Sequence, residues 1–342
     1  MFYMLKNENA VYYECRYSCD NALYIRLDSD AFFITDSRYR IDANEHVKGA
    51  EVRISSDLYA EAAKLLKKHK IKTIIFDPKE WSVAAFRQLR NTIKTELKAE
   101  PYFSHKKRLI KTDKEIKILS KAVKLGAKAF DTFAKVIQQK GFGKDEYALT
   151  HMAKSILGNH GKYALSFDPI VAINQNAAKP HAFPTDTKLK KGDLLLVDAG
   201  LKYKRYCSDR TRTLQADSTF LFQTKQSFSR KKRQKAYDTV LRAHDNAIKK
   251  ARSGMKAKKI DALTRDIIDK AGFGKYYVHS TGHGVGLDIH ELPYISSKSD
   301  TLIEDNMVFT IEPGIYIPGE FGIRIEDMVV MKKGKVKVMS GN

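Results

Sequence analysis

A chain of 342 residues is too long for one small core, and two domains are expected. Its 43% hydrophobic content, with 17 Phe and 17 Tyr, is ample for globular burial. The formal net charge of +22 raises nucleic-acid binding through phosphate neutralisation, but Lys and Arg are spread over the whole chain. The densest run, Ser229-Arg230-Lys231-Lys232-Arg233-Gln234-Lys235, has no interleaved aromatics for base stacking, so it reads as solvated surface and no nucleic-acid partner is expected. Residues 1–10 are partly polar and no long apolar stretch follows, so neither a signal peptide nor a membrane partner is expected. The three cysteines, Cys15, Cys19 and Cys207, lack zinc-knuckle spacing and read as reduced thiols of a cytoplasmic protein.

In chain order, residues 1–105 read as a separate α/β unit. Residues 21–27 and 31–35 form a strand pair around Asp28-Ser29-Asp30. Residues 57–70 have helical spacing (Leu58, Ala62, Leu65, Leu66) behind a cap at Ser56 or Asp57. Residues 72–78 are a strand ending before proline, and residues 81–97 return to helical spacing. Asp36-Ser37-Arg38-Tyr39 reads as a turn with a local ion pair. Residues 101–109 read as a linker. A long helix then starts near Thr112, where Thr112-Asp113-Lys114-Glu115 is a capping box, and a second helix spans 145–157. Residues 170–173 are a strand leading into a polar loop that ends at His181.

The run Leu194-Leu195-Leu196-Val197 reads as a buried strand, and Asp198 ends it where another aliphatic would be bland. Eleven residues on comes Asp209, followed by strand residues 211–214. Buried carboxylates are costly unless paired, hydrogen-bonded or bound to metal. Two hairpinned strands would bring both acids to one point. Residues 217–226 are irregular and Phe-rich, and helices are expected over 231–252 and 260–271. Order helix, helix, strand with ligand occurs twice, which suggests two related halves.

Three further stretches carry chemistry. Residues 279–291 hold His279, His283 and His290 in a Gly-rich loop whose glycines admit close backbone approach. Met307-Val308-Phe309-Thr310-Ile311-Glu312-Pro313-Gly314 is an apolar strand with an acid at its end. Residues 322–330 read as one strand, whose alternation puts Arg324 and Glu326 on a common face. The candidate metal ligands are therefore Asp198, Asp209, His283, Glu312 and Glu326. Four carboxylates in one pocket repel unless cations neutralise them, and two divalent ions carry the matching charge. Oxygen-rich ligation with one imidazole suits manganese, cobalt, zinc or iron, and a two-metal site implies metal-assisted hydrolysis.

These motifs resemble the pita-bread metallopeptidases (M24), which include methionine aminopeptidase, aminopeptidase P and prolidase. The resemblance covers residues 105–335 and rests on the ordered set Asp, Asp, His, Glu, Glu. It implies that Asp209 and Glu326 bridge two metals, with Asp198 completing one and His283 and Glu312 the other. It also implies that Glu312 helps activate water, that His181, His279 and His290 surround the substrate, and that Arg324 sits beside the metals. The expected fold is α+β: a small N-terminal α/β domain (1–105) of the creatinase/aminopeptidase P type, then a pita-bread catalytic domain (106–342) with pseudo-two-fold halves. The expected cofactors are two divalent ions, manganese foremost.

The N-terminal domain, residues 32–39, the linker Arg108-Leu109-Ile110-Lys111, Gly286-Leu287-Asp288-Ile289-His290-Glu291 and Arg324-Ile325-Glu326-Asp327 all resemble the aminopeptidase P and prolidase branch. Creatinase shares the architecture but lacks the ligands. The expected activity is cleavage of the Xaa–Pro bond at a peptide N-terminus by a homodimer. Aminopeptidase P is the first choice and the dipeptidase prolidase the alternative. A non-enzymatic binding protein predicts decayed ligands, against the five found here. Residues 214–235 are longer and more basic than that branch's usual link, which suggests a surface insertion or interface element.

Overall fold

The computed structural model describes residues 1–339. It divides into two compact units, Met1–Arg108 and a second beginning at Leu109.

The first unit is a six-stranded mixed sheet with helices. In chain order it contains β1 (Phe2–Leu5), α1 (Glu8–Cys15), β2 (Ala22–Leu27), β3 (Asp30–Thr35), α2 (Arg40–His46), β4 (Glu51–Ile54) and α3 (Leu58–Lys68). β5 (Thr73–Phe76), α4 (Val83–Thr92), β6 (Glu96–Ala99) and α5 (Phe103–Lys107) follow, and the sheet order is β4-β3-β2-β1-β5-β6. Strand alternation splits the core in two. Leu23, Ile25 and Leu27 face α3 and α4, whereas Ala22 and Tyr24 pack with Val11, Phe33 and Phe103. Asp57 caps α3, its carboxylate accepting from the N–H groups of Tyr59 and Ala60. The expected ion pair within residues 36–39 is present, with Arg38 Nη2 2.8 Å from Asp36 Oδ2.

Two local expectations need correction. The helix expected over 81–97 stops at Thr92, because residues 96–99 pair in parallel with β5 as the sheet edge. Within the stretch expected as linker, residues 103–107 form α5, because Phe103 has a core site to fill. In both places a tertiary partner overrides a weak local pattern.

The second unit begins with α6 (Asp113–Lys140), whose capping box at Thr112 and Glu115 is formed as expected. Thr112→Ala should cost about 1 kcal/mol of stability, read by chemical denaturation. Then come α7 (Glu146–Leu157), β7 (Ile170–Ile173), β8 (Asp193–Asp198), β9 (Lys202–Tyr203), β10 (Tyr206–Cys207) and β11 (Thr211–Ala216). The second half repeats this order with α8 (Lys231–Lys250), α9 (Ala257–Lys270), β12 (Gly282–Gly284), an added β13 (Glu291–Ile295), β14 (Val308–Ile311), β15 (Gly314–Ile317), β16 (Phe321–Arg324) and β17 (Asp327–Lys332). β18 (Lys335–Val338) closes the edge. The sheets are β11-β8-β7 and β13-β12-β14-β17-β18, each with a short paired hairpin, β9/β10 or β15/β16, beyond its long strands. Two halves of like order on a shared plan are the pita-bread fold.

The apolar run in β8 has a plain cause: both its faces are covered. Leu195 and Val197 pack against α6 and α7, while Leu194 and Leu196 pack towards α8, β15 and β16. Residues 217–226 are irregular, as expected, but they are not a loose insertion. Phe220 and Phe222 sink into the first of those cores, with Phe222 stacked 6.1 Å from Phe133, and Phe228 enters the second.

No helix among the described residues is long and apolar enough to cross a membrane.

Candidate metal centre

Each half presents a long antiparallel strand pair that breaks before its hairpin. In the first, Asp198 is the last residue of β8, opposite Thr211, and Asp209 lies two residues before β11. In the second, Ile311 pairs with Asp327 and Gly314 with Arg324, so Glu312 and Glu326 fall in the unpaired gap between them. The strand expected over residues 322–330 is therefore two strands, β16 and β17, in different sheets. Pro313 supplies no N–H to continue the ladder, so the break has a local cause. Backbone at such breaks turns carboxylates inward. All four acids line one cavity of about 510 Å³.

His283 reaches the same cavity from β12. The glycines around it allow the strand to lie against its neighbours: a Cβ on Gly282 would sit 2.0 Å from the Thr310 carbonyl oxygen, and one on Gly284 2.1 Å from that of Leu292. The His283 Nδ1–H donates to the Gly284 carbonyl at 3.1 Å, which leaves the Nε2 lone pair facing the acids. Nε2 lies 3.3 Å from Glu312 Oε1 and 3.6 Å from Asp209 Oδ2. Ligand atoms of Asp209, His283 and Glu326 all lie within 4.8 Å of one another.

Arg324 ties the wall together. Its Nη2 donates to Asp198 Oδ2 at 2.6 Å, its Nε to Thr211 Oγ1 at 3.0 Å, and its Nη1 to Tyr316 OH at 2.6 Å. Thr211 passes its own hydroxyl proton to Glu326 Oε2 at 2.6 Å. Glu312 accepts from Thr310 Oγ1 at 3.1 Å. The Arg212 guanidinium, buried beneath, holds the Glu326 carbonyl oxygen at 2.6 Å and the Asp327 carboxylate at 2.7 Å.

The electrostatics are those of crowded, desolvated acids. Burial first, then Glu326 and Asp198, push Asp209 well above the usual carboxylate range. Burial, then Glu312 and Asp198, do the same to Glu326. Burial raises Glu312 to about 7, opposed by Arg324 and reinforced by Asp198. Buried Oδ1 atoms of Asp198 and Asp209 have no hydrogen-bond partner among the described residues. Orphaned carboxylate oxygens, mutual repulsion and one imidazole lone pair are the donor set that hard or borderline divalent cations satisfy, so these residues fit the expected metals.

The other histidines are placed as follows. His181 and His290 line the cavity, and the His290 ring stands 4.2 Å from that of His283. Burial, then His283, lower His290 to about 4, so its imidazole is neutral at pH 7. His279 also lines the cavity, but both its nitrogens are engaged. Nδ1–H donates to the Ser280 carbonyl at 2.7 Å and Nε2 accepts from Tyr316 OH at 2.9 Å. An Arg324–Tyr316–His279 relay results. Burial, then Arg324, lower His279 to about 4 as well.

Sequence reasoning passed over Tyr316 and Thr211. A signal for Thr211 existed: Asp209, Thr211 and Thr213 alternate into one strand face. Nothing local marks Tyr316, which reaches Arg324 only because β15 and β16 pair. Thr211→Val keeps the shape and removes both hydrogen bonds. Peptidase kcat/KM should fall roughly 10–100-fold, as for loss of an outer partner of a metal ligand, and metal affinity should fall with it.

Residues 117–333 match the model of metallopeptidase family M24, and residues 2–103 match the creatinase/prolidase N-terminal domain. The chain belongs to metallopeptidase family M24. Among relatives of this M24 chain, an Xaa-Pro dipeptidase of Pyrococcus furiosus is 38% identical over 230 residues, which are 67% of this chain and 62% of the relative's length. This chain thus matches under two thirds of that relative. An Xaa-Pro dipeptidase structure from Bacillus anthracis superposes with a TM-score of 0.90 at 32% identity, covering 100% of this chain and 93% of the other. An X-Pro aminopeptidase from Thermotoga maritima follows at 0.87 and 28%, covering 100% and 95%. The order of preference drawn from sequence, aminopeptidase P before prolidase, is reversed by these relatives: the names with higher identity are dipeptidases.

Proposed function

We propose that this M24 chain is a metal-dependent Xaa-Pro dipeptidase, with Asp198, Asp209, His283, Glu312 and Glu326 holding two divalent ions. The observation that carries the metallopeptidase reading is the convergence of three buried carboxylates, the partly buried Glu312 and one neutral imidazole on a single cavity. The dipeptidase assignment is supported by the higher identity to relatives of that name.

Divalent ions held by these residues would supply Lewis acidity towards the scissile carbonyl and lower the pKa of a water so that hydroxide is available at neutral pH. The chain's own residues do the rest. Glu312, which lines the cavity beside His283, is placed to take a proton from the attacking water on its carboxylate and return it to the proline nitrogen. That nitrogen is a tertiary amide and has no proton of its own. His181 and the neutral His290 donate to the peptide carbonyl as negative charge develops on its oxygen. Arg324 orients Asp198 through the 2.6 Å bond, and Tyr316, backed by His279, holds Arg324. The aromatic and proline side chains of Phe167, Pro180 and Pro184 border the cavity and offer an apolar seat for a proline ring.

The reading includes a reducing, cytoplasmic setting, in keeping with three free buried cysteines, and a homodimer, which sedimentation of the purified protein tests. Manganese is the first metal to try.

A peptide-length panel tests the substrate. Protein loaded with manganese or cobalt, with metal content measured on the same sample, should hydrolyse Xaa-Pro dipeptides and leave Xaa-Pro-Xaa tripeptides largely intact. Faster release from the tripeptides would return the assignment to aminopeptidase P.

A further inference from the structure

The dense basic run at residues 229–235 plays no part in the chemistry above. It opens α8, and the cavity it borders is a second one, of about 520 Å³, with Asn174 on one side and the turn between β15 and β16 on the other. Three cations line it, Arg230, Lys232 and Arg233, against one acid, Glu320. Lys232 Nζ lies 2.5 and 2.8 Å from the two Glu320 oxygens, so that pair neutralises itself. Two guanidiniums remain.

Arg233 is the telling one. It is 4% exposed, yet no carboxylate among the described residues lies within ion-pair distance of it. Its Nη2 donates to the neutral Asn174 Oδ1 at 2.9 Å, its Nε has no acceptor, and its guanidinium lies 5.8 Å from the Phe321 ring centre. Burial, then Arg230, lower its pKa, and Asp193 opposes them from behind Asn174, whose Nδ2 donates to Asp193 Oδ1 at 2.7 Å. A buried cation with no acid in direct contact is costly, and natural chains rarely keep one unless something pairs with it. The helix end adds to this field. Arg230, at the N-cap, makes no side-chain cap bond, so the first-turn N–H groups of a 20-residue helix point outward with the positive end of its dipole.

We propose that this cavity binds a phosphate dianion, free or carried as a monoester on a small molecule. Two guanidiniums with no acid in direct contact match a phosphate's charge of about −2 better than a carboxylate's single charge. Guanidinium forks and helix N-termini are both suited to phosphate oxygens. The volume lies within the range of small-molecule sites and exceeds what inorganic phosphate fills, leaving room for an ester's organic part. The site is separate from the metal cavity and independent of the dipeptidase reading.

The test titrates inorganic phosphate into the full-length protein, both manganese-loaded and metal-stripped, against chloride at matched ionic strength. Thermal unfolding is the readout. A saturable rise in Tm is expected in both forms, because this site needs no metal. Arg230→Gln, at an exposed position that does not threaten folding, should weaken the apparent phosphate affinity at least about tenfold, the loss expected for one charge-assisted contact. Arg233→Met should abolish the response, and Lys270→Ala on exposed α9 should leave it unchanged. An AMP arm distinguishes the sources: tighter binding of AMP assigns the ester, and equal binding assigns free phosphate. A rise no larger than chloride produces, or one untouched by Arg230→Gln, overturns the proposal.

Discussion

Asp209→Ala is expected to fold and to lose peptidase activity by well over about 100-fold, beyond the cost of losing an outer partner of a ligand. Asp209 lies within reach of both His283 and Glu326 and has a carboxylate oxygen with no protein partner. The stability result should run in the opposite direction to the activity result. Asp209 is repelled by Glu326 and Asp198 in a desolvated site, so its removal relieves the metal-free protein of unfavourable charge. Above neutral pH, metal-stripped Asp209→Ala should therefore melt no lower than metal-stripped wild type. Two measurements on one preparation suffice: turnover of an Xaa-Pro dipeptide after metal loading, and Tm after stripping. Retained turnover would remove the dinuclear centre from the proposal.

Stripping the metal should make stability fall as pH rises. Glu312 has a folded pKa of about 7 against an ordinary value of 4.5, and Asp209 and Glu326 are raised as well. A carboxyl with a raised folded pKa binds its proton more tightly in the folded state. Its contribution is fully present below the unfolded value and is lost as pH climbs through the folded one. Between pH 4.5 and about 7 the metal-free protein should lose on the order of 3 kcal/mol from Glu312 alone. Bound divalent ions favour the ionised carboxylates and cancel the effect, so the Tm gap between loaded and stripped protein should widen with pH over this window. Denaturation of both forms at pH 5, 6 and 7 measures it. A gap that stays constant would mean that the acids ionise freely without metal and that the crowding described here is unimportant.

The histidines show where sequence reasoning stops. His181, His279, His283 and His290 all reach one cavity, as their motifs suggest. Their roles diverge through contacts formed far away in the chain. The Gly284 carbonyl commits His283 Nε2 to the acids, whereas Tyr316, 37 residues beyond His279, occupies the nitrogen that His279 would otherwise offer a substrate. Residues 214–235 make the same point. Their basic composition suggests a surface feature, and the charges do lie outward, but Phe220, Phe222 and Phe228 anchor the segment in two cores.

What the sequence by itself determined was which acids and histidines share one cavity, the order of the two units and most of the elements. These follow from short-range rules: apolar runs define buried strands, a capping box starts α6, and acids at strand ends are too costly to be there without a purpose. Pro313 marks the break after β14 in the sequence, but only the tertiary structure decided where the opposite segment breaks. Residues 322–330 read as one alternating strand, yet the chain leaves one sheet at Arg324 and enters another at Asp327. Strand alternation depends on neighbours i and i+2, but a break depends on which partner strand each segment pairs with. Those partners, β15 for one segment and β14 for the next, are set by packing of the two halves. The same holds for Asp198. Its place at the end of β8 is legible, but its 2.6 Å bond to Arg324 joins residues 126 positions apart and exists only once both halves have folded.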